Sequence, residues 1–258
     1  MLDVSCAALL REPLAAYSGE PPHVAALTEQ WVLHEPAGEQ WQVAVVGAAN
    51  ATGWPTAPLV AALRRRCPAG MIVVASSDAV VQSTVADFAR AGADRVVTIT
   101  TDAHVQRVLE LARRRVLAPA PAATLLRLQS LVAPWGVLAL ATHCVRNSSF
   151  HWGIQRLAEF FGRTPQALNA ELRRHDLPSI GLLQRYGLAL HAQELEERGI
   201  SGRSEIAFRL GLPDSKSLQA RRRRIEQSQL HTVLAERGRQ TDRQTGRERE
   251  RDRRLAAR

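Results

Sequence analysis

Two segments of this chain follow one pattern of side-chain sizes, and that repetition restricts the fold more than any other feature. The first reads IQRLAEFFGRTPQALNAELRR (154–174) and the second EIAFRLGLPDSKSLQARRRR (205–224). In each, an apolar residue and an alanine (Leu157-Ala158; Ile206-Ala207) stand one helical turn before a large apolar residue and a glycine (Phe161-Gly162; Leu210-Gly211). The alanine leaves room for a second helix to cross closely over the first. The glycine takes, without steric penalty, the left-handed backbone that ends the first helix. Thr164 is placed to cap the following helix, with Pro165 at its first position, where a missing N–H costs nothing. In the second copy Pro213 occupies the turn, so Asp214 or Ser215 must cap. The pattern predicts two pairs of short helices, each joined at a steep angle by a glycine turn.

Between the copies, Ile180 to Glu197 places Leu182, Leu183, Tyr186, Ala189, Leu190 and Leu195 at helical spacing. Gly199 stops this helix just past Arg198, where a cation suits the helix dipole. A steep helix pair with a glycine turn is the helix-turn-helix, which seats its second helix in the major groove of DNA. Two such units and a joining helix resemble the DNA-binding domain of the AraC-type transcription regulators. The spacings Ala158 to Ala192 (192 − 158 = 34) and Ala192 to Ala207 (207 − 192 = 15) match that family's pattern of alanines without a gap.

The resemblance implies roles for residues on the second helix of each unit. Gln166, Asn169 and Arg173, and then Ser215, Lys216 and Gln219, occupy the positions that would meet base edges, where glutamine and asparagine suit adenine. Arg163, Arg174, Arg221, Arg222 and Arg223 would hold phosphates and set the register. Two departures from that family stand out, and the second unit carries both. The arginine that such proteins often carry late in each reading helix is alanine here, at Ala170 and Ala220, and the aromatic of the second unit aligns with Arg222. The run of arginines at 221–224 is then suited more to phosphates than to bases.

Charge is placed accordingly. The net charge is +9, yet residues 1–142 are neutral, with eleven arginines against eleven acidic residues. Residues 143–234 carry 14 basic and 9 acidic side chains, and residues 235–258 carry 9 and 5. The excess lies where a polyanion would want it.

The first 116 residues alternate apolar runs with helical patterns, as a parallel sheet wrapped by helices does. Strands are expected at 42–47 (QVAVVG), 71–77 (MIVVASS) and 96–100 (VVTIT), with weaker candidates at Met1 to Ala8 and Trp31 to His34. Helices are expected at Pro58 to Arg66, Ala79 to Ala91 (closed by Gly92) and Asp102 to Arg115. LVAALRRRCPAGMIVVASS (59–77) and ARAGADRVV (89–97) are similar to the fourth and fifth strand region of response-regulator receiver domains, which implies a flavodoxin-like parallel sheet. That family's chemistry needs an aspartate, which aligns with Gly47, and a lysine, which aligns with Ile99; only Ser76 keeps the hydroxyl type. With no carboxylate nucleophile and no acidic pair after the first strand, neither an acyl phosphate nor a bound Mg²⁺ is expected.

Other chemistry is not recognisable. The loop Gly47 to Gly53 lacks both the Lys-Ser/Thr of a P-loop and a dinucleotide fingerprint, and reads as a plain loop. His143-Cys144 with His151 fits no zinc spacing, so a satisfied or exposed histidine and a buried thiol are expected, with Trp152 in the core. Three distant cysteines fit a reducing cytosol, the start at Met1 to Ala8 is not expected to act as a signal peptide, and the longest apolar run (Leu131 to Thr142) is too short for a bilayer. No metal, cofactor or enzyme activity is expected.

The organisation expected is a receiver-like α/β domain (1–116), a linker and connecting helix (117–134, with Thr124 to Val132 helical), an all-α double helix-turn-helix domain (135–226, opening on a helix from Trp135 to Val145) and a basic tail (227–258) expected to stay disordered. The function expected is a cytoplasmic, phosphorylation-independent regulator of transcription that binds duplex DNA. A homodimer through the receiver-like domain or connecting helix is a further candidate. The alternatives are a protein-interaction regulator with only non-specific DNA affinity, and a small-molecule-sensing regulator.

Overall fold

The computed structural model describes residues 43–49 and 53–226. The weaker strand candidates before residue 43 and the basic tail lie outside the described residues. Three parallel strands, β1 (Val43–Gly47), β2 (Met71–Ser76) and β3 (Arg95–Thr98), lie in the order β1-β2-β3. Val43 pairs with Met71 and Val73 with Arg95. Met71 to Ala75 have no exposed surface, because the central strand is covered on both faces. A parallel strand so placed needs an unbroken apolar run rather than alternation, and that is how it reads. On one face Ile72 and Val74 meet Val60 and Leu63 of α1 (Ala57–Arg66) and Phe88 of α2 (Gln82–Ala91). On the other, Met71, Val73 and Ala75 meet Val105, Val108 and Leu109 of α3 (Asp102–Leu117).

Several boundaries differ from the sequence reading, among them the connecting helix, which runs Ala122–Gln129 rather than Thr124 to Val132 and leaves Val132 exposed; two others have local reasons. Helix α2 starts at Gln82 rather than Ala79, because the Ser76 hydroxyl takes the Asp78 N–H and Val81 is extended. The third strand begins at Arg95 and ends at Thr98. Ile99 still gives its N–H to the Ser76 carbonyl at 2.8 Å, and is buried.

The second half is helical throughout: α4 (Ala122–Gln129), α5 (Trp135–Arg146), a 3₁₀ turn (Ser148–Phe150), α6 (Ile154–Phe160), α7 (Pro165–Arg174), α8 (Ile180–Glu197), α9 (Arg203–Arg209) and α10 (Ser215–Glu226). Helix α5 is its axle. Every residue from Val137 to Arg146 is buried, the condition of a helix with neighbours on all sides. It packs on α2, α4 and α8. Helix α8 comes so close that a Cβ on Gly187 would stand 2.4 Å from the Val145 carbonyl oxygen, so only glycine fits there.

The two halves are fastened together. Segment 118–121, which the sequence marks as a linker, is packed: Ala118 and Ala120 are buried, and His191 Nδ1 lies 2.7 Å from the Pro119 carbonyl. Asp94, just before β3, forms the main joint. Its Oδ2 accepts from Arg64 Nη2 (2.6 Å) and the Ile72 N–H (2.8 Å), and its Oδ1 from Arg146 Nε (2.8 Å) and Asn147 Nδ2 (2.5 Å). Arg115 closes the network, reaching the Arg146 carbonyl and Asn147 Oδ1, each at 2.9 Å. Burial pushes the Asp94 carboxyl up, but the guanidiniums of Arg146 and Arg64 outweigh it and hold it well below the usual carboxylate range. The joint is therefore ionised at neutral pH.

Candidate nucleic-acid interface

The two repeated segments fold alike, down to the bonds in their turns. In the first, Leu157 and Ala158 are fully buried, Gly162 has φ +61°, and the N–H of Arg163 reaches back to the Ala158 carbonyl at 2.9 Å. In the second, Ile206 and Ala207 are buried, Gly211 has φ +67°, and the N–H of Leu212 reaches the Ala207 carbonyl at 2.8 Å. Both turns satisfy carbonyls that a helix end otherwise leaves orphaned. Thr164 Oγ1 accepts the Ala167 N–H (3.2 Å) as the cap of α7, with Pro165 as its first residue. For α10 the choice left open by the sequence falls on Asp214, whose Oδ1 accepts the Ser217 N–H at 2.7 Å. That bond also lowers the Asp214 pKa.

Helix α8 joins the units. Its first part puts Ile180, Leu183 and Tyr186 into one core with Leu157, Leu168 and Leu172. Its last part puts Leu188, Ala192 and Leu195 against Ile206, Ala207, Leu210 and Leu218. Helices α7 and α10 thus each bury one side on a shared rod and turn the other outward.

On α7, Gln166, Arg173 and Arg174 are exposed, as is Arg163 in the turn before it. Asn169 is committed elsewhere. Its Nδ2 donates to the Pro165 carbonyl (3.2 Å) and its Oδ1 accepts the Ile180 N–H (3.1 Å). Ser179, the residue at the N-cap of α8, makes no side-chain bond, so Asn169 supplies the acceptor that this helix start needs. On α10, Lys216 and Arg223 are exposed, whereas Ser215, Gln219, Arg221 and Arg222 are half-buried. Arg222 pairs with Glu196 of α8 at 2.9 Å and so ties α10 to the rod.

The amino-terminal half touches this region through α2, away from the outer face of α7. Gln82 Nε2 donates to the Glu159 carbonyl, and Ala86 packs against Gly162. At the carboxyl ends of the strands the Gly47 carbonyl accepts the Thr56 hydroxyl, Ser76 serves its local turn and Ile99 is buried.

Residue-by-residue reading missed two features. His143 is buried but not satisfied: neither ring nitrogen has a hydrogen-bond partner. It is wedged among Trp152, Phe160 and Phe161, and Asp94 Oδ1 is 3.9 Å from Nδ1. Burial drives its pKa well below the usual value, against the pull of Asp94. Trp152 is buried as expected, but it also lies against two guanidiniums, with Arg95 Cζ 4.2 Å and Arg156 Cζ 4.9 Å from its ring. No short motif announces either feature, since both join residues from distant parts of the chain. His151, also near Trp152 in sequence, places Nε2 2.9 Å from the Leu210 carbonyl. No helix among the described residues is long and apolar enough to cross a membrane.

Comparison with protein-family models, with curated proteins and with solved structures found no match to this chain.

Proposed function

We propose that this protein is a cytoplasmic, sequence-specific regulator of transcription, with an AraC-type double helix-turn-helix domain for duplex DNA and a receiver-like α/β domain that does no phosphoryl chemistry. One observation carries the reading. Two units with the same buried alanine, left-handed glycine and capped second helix share one rod, and the outer face of α7 is open while the amino-terminal half is docked. The excess basic charge of residues 143–234 supports it. In this reading Gln166 and Arg173 meet base edges from the first unit and Lys216 from the second. Arg163, Arg174 and Arg223 hold phosphates. Asn169 and Arg222 act indirectly, by fixing α7 and α10 to the rod. Loss of the aspartate at the Gly47 position and of the lysine at Ile99 makes DNA binding independent of phosphorylation.

Genome-wide footprinting with the full chain supplies the cognate site, and gel shift on that site and on random duplex then tests the assignment. Each good base contact contributes about 1–3 kcal/mol of discrimination. Replacing Gln166 and Arg173 with alanine should therefore cut cognate affinity at least about tenfold and leave random DNA within about threefold. Replacing Arg163 and Arg174 should weaken both alike and flatten the salt dependence. Equal losses on both DNAs from the Gln166 and Arg173 changes would refute base reading.

A second reading, a protein-interaction regulator with only non-specific DNA affinity, is favoured by Phe208. This side chain stands 77% exposed on α9, an apolar contact without a partner in the fold. A cognate-to-random ratio near one would select it.

A further inference from the structure

A cleft of about 190 Å³ opens between the two halves, away from the reading helices. Its polar wall is built from arginine. Arg95 is 94% buried as judged by its 6% exposure, and of its donors only Nη1 has a protein acceptor, the Asp94 carbonyl at 2.6 Å. Neither Arg95 nor Arg156 has a carboxylate partner among the described residues. Both lie against Trp152 and line the same cleft. Burial pulls Arg95 down to about 9, so it is still charged at neutral pH. Asp94 favours the charge on Arg95 through space but makes no ion pair with it, and a buried cation so placed favours an anion that reaches its remaining donors. Val85, Val96 and Phe160 add apolar surface to the lining, and Gln82 and Glu159 add polar surface. Apolar surface set beside a few polar groups is a make-up that small-ligand sites share.

We propose that this cleft binds a small aromatic carboxylate. Its carboxylate meets the unpaired donors of Arg95 and Arg156, whose planar forks match carboxylate geometry. Its ring lies against Val85, Val96 and Phe160. The volume limits the occupant to about one ring, since pockets for drug-sized ligands run roughly 300–1,000 Å³. Glu159 stands on the rim and opposes an anion, but it is exposed and so screened by salt. Because α2 and β3 form one wall and Trp152 and α6 the other, an occupant bridges the two halves. The site does not depend on the DNA-reading assignment.

The probe is 4-fluorobenzoate, followed by fluorine NMR on the full chain without DNA. Saturable binding is expected. Arg156→Ala, an exposed position whose loss spares the fold, should weaken it about tenfold, the worth of one charge-assisted bond. Glu159→Gln should tighten it about twofold. Arg95→Met should abolish it, with circular dichroism checking that the chain is folded. The proposal fails if 4-fluorobenzoate does not saturate, or if Arg156→Ala leaves binding unchanged. It also fails if equimolar inorganic phosphate displaces the probe, because the ring would then contribute nothing. Loss of random-DNA affinity in Arg156→Ala, with probe binding intact, would instead assign Arg156 to nucleic-acid phosphate.

Discussion

Replacement of Asp94 by alanine should do more damage than any other single change in the described chain. The carboxylate is fully buried and accepts from Arg64, Ile72, Arg146 and Asn147. The two arginines lose unequally. Arg64 keeps the carbonyls of Gly92 (2.9 Å), Pro68 (3.0 Å) and Gly70 (2.5 Å), which continue to solvate it. Arg146 keeps only the Pro68 carbonyl at 3.3 Å, and its Nη2 already lacks a partner. Removing one member of a buried ion pair typically costs about 3–5 kcal/mol, and an orphaned buried N–H such as that of Ile72 adds about 1–3 kcal/mol. The expected loss is thus about 5 kcal/mol, comparable to the whole stability of many domains, which is about 5–15 kcal/mol.

Urea unfolding followed by circular dichroism checks this. With a slope of about 2 kcal/mol per molar, the midpoint should fall by about 2.5 M or the chain should fail to fold. Arg146→Met leaves Asp94 paired with Arg64 and should cost less, about 2–3 kcal/mol. The double variant should cost less than the sum of the singles, since Arg146 is then no longer stranded. The wild-type halves should unfold in one transition, and loss of the joint should split it. A cost for Asp94→Ala below about 1 kcal/mol, or additivity with Arg146→Met, would refute the account.

Stability should also fall on mild acidification. Burial lowers the His191 pKa from its ordinary 6.5 to about 4, and burial holds His143 well below its ordinary value. The unfolded chain then binds more protons than the folded one between about pH 6.5 and pH 4, so stability is complete above that window and drains away as pH falls through it. His191 alone accounts for roughly 3 kcal/mol of this at 1.36 kcal/mol per unit. Urea midpoints measured across the window should show the slope, and the His143→Leu, His191→Gln double variant should flatten it; an unchanged slope would refute the attribution. The two turn glycines should differ in cost. Gly162→Ala meets both a left-handed backbone, worth about 1–2 kcal/mol, and the Ala86 Cβ at 2.8 Å, whereas Gly211→Ala meets nothing closer than His151 Nε2 at 3.3 Å. Thermal denaturation should rank the first as the more damaging, and equal shifts would show that α2 yields freely.

The repeated units were legible because their determinants are short-range. A left-handed glycine, a capping threonine and a proline at the first helical position act within a few residues of themselves, so their meaning is written in the local order. Buried strands gave themselves away through unbroken apolar runs. The roles of individual side chains were less legible where a residue had two employers. Asn169 reads as a base contact on α7, yet the start of α8, eleven residues on, needs its oxygen. Arg222 reads as a phosphate contact, yet Glu196 stands beside it.

What the order of residues determined by itself is the paired helical units, the rod between them and the parallel strands, since backbone preference and hydrophobic period decide those locally. What only the tertiary structure decided is how the halves meet: Asp94 with Arg146, Trp152 against Arg95 and Arg156, and His143 left without a hydrogen bond. Partners this far apart along the chain become neighbours only when the core has closed. The cost of burying a charge or an imidazole depends on who those neighbours are, and no local pattern records them.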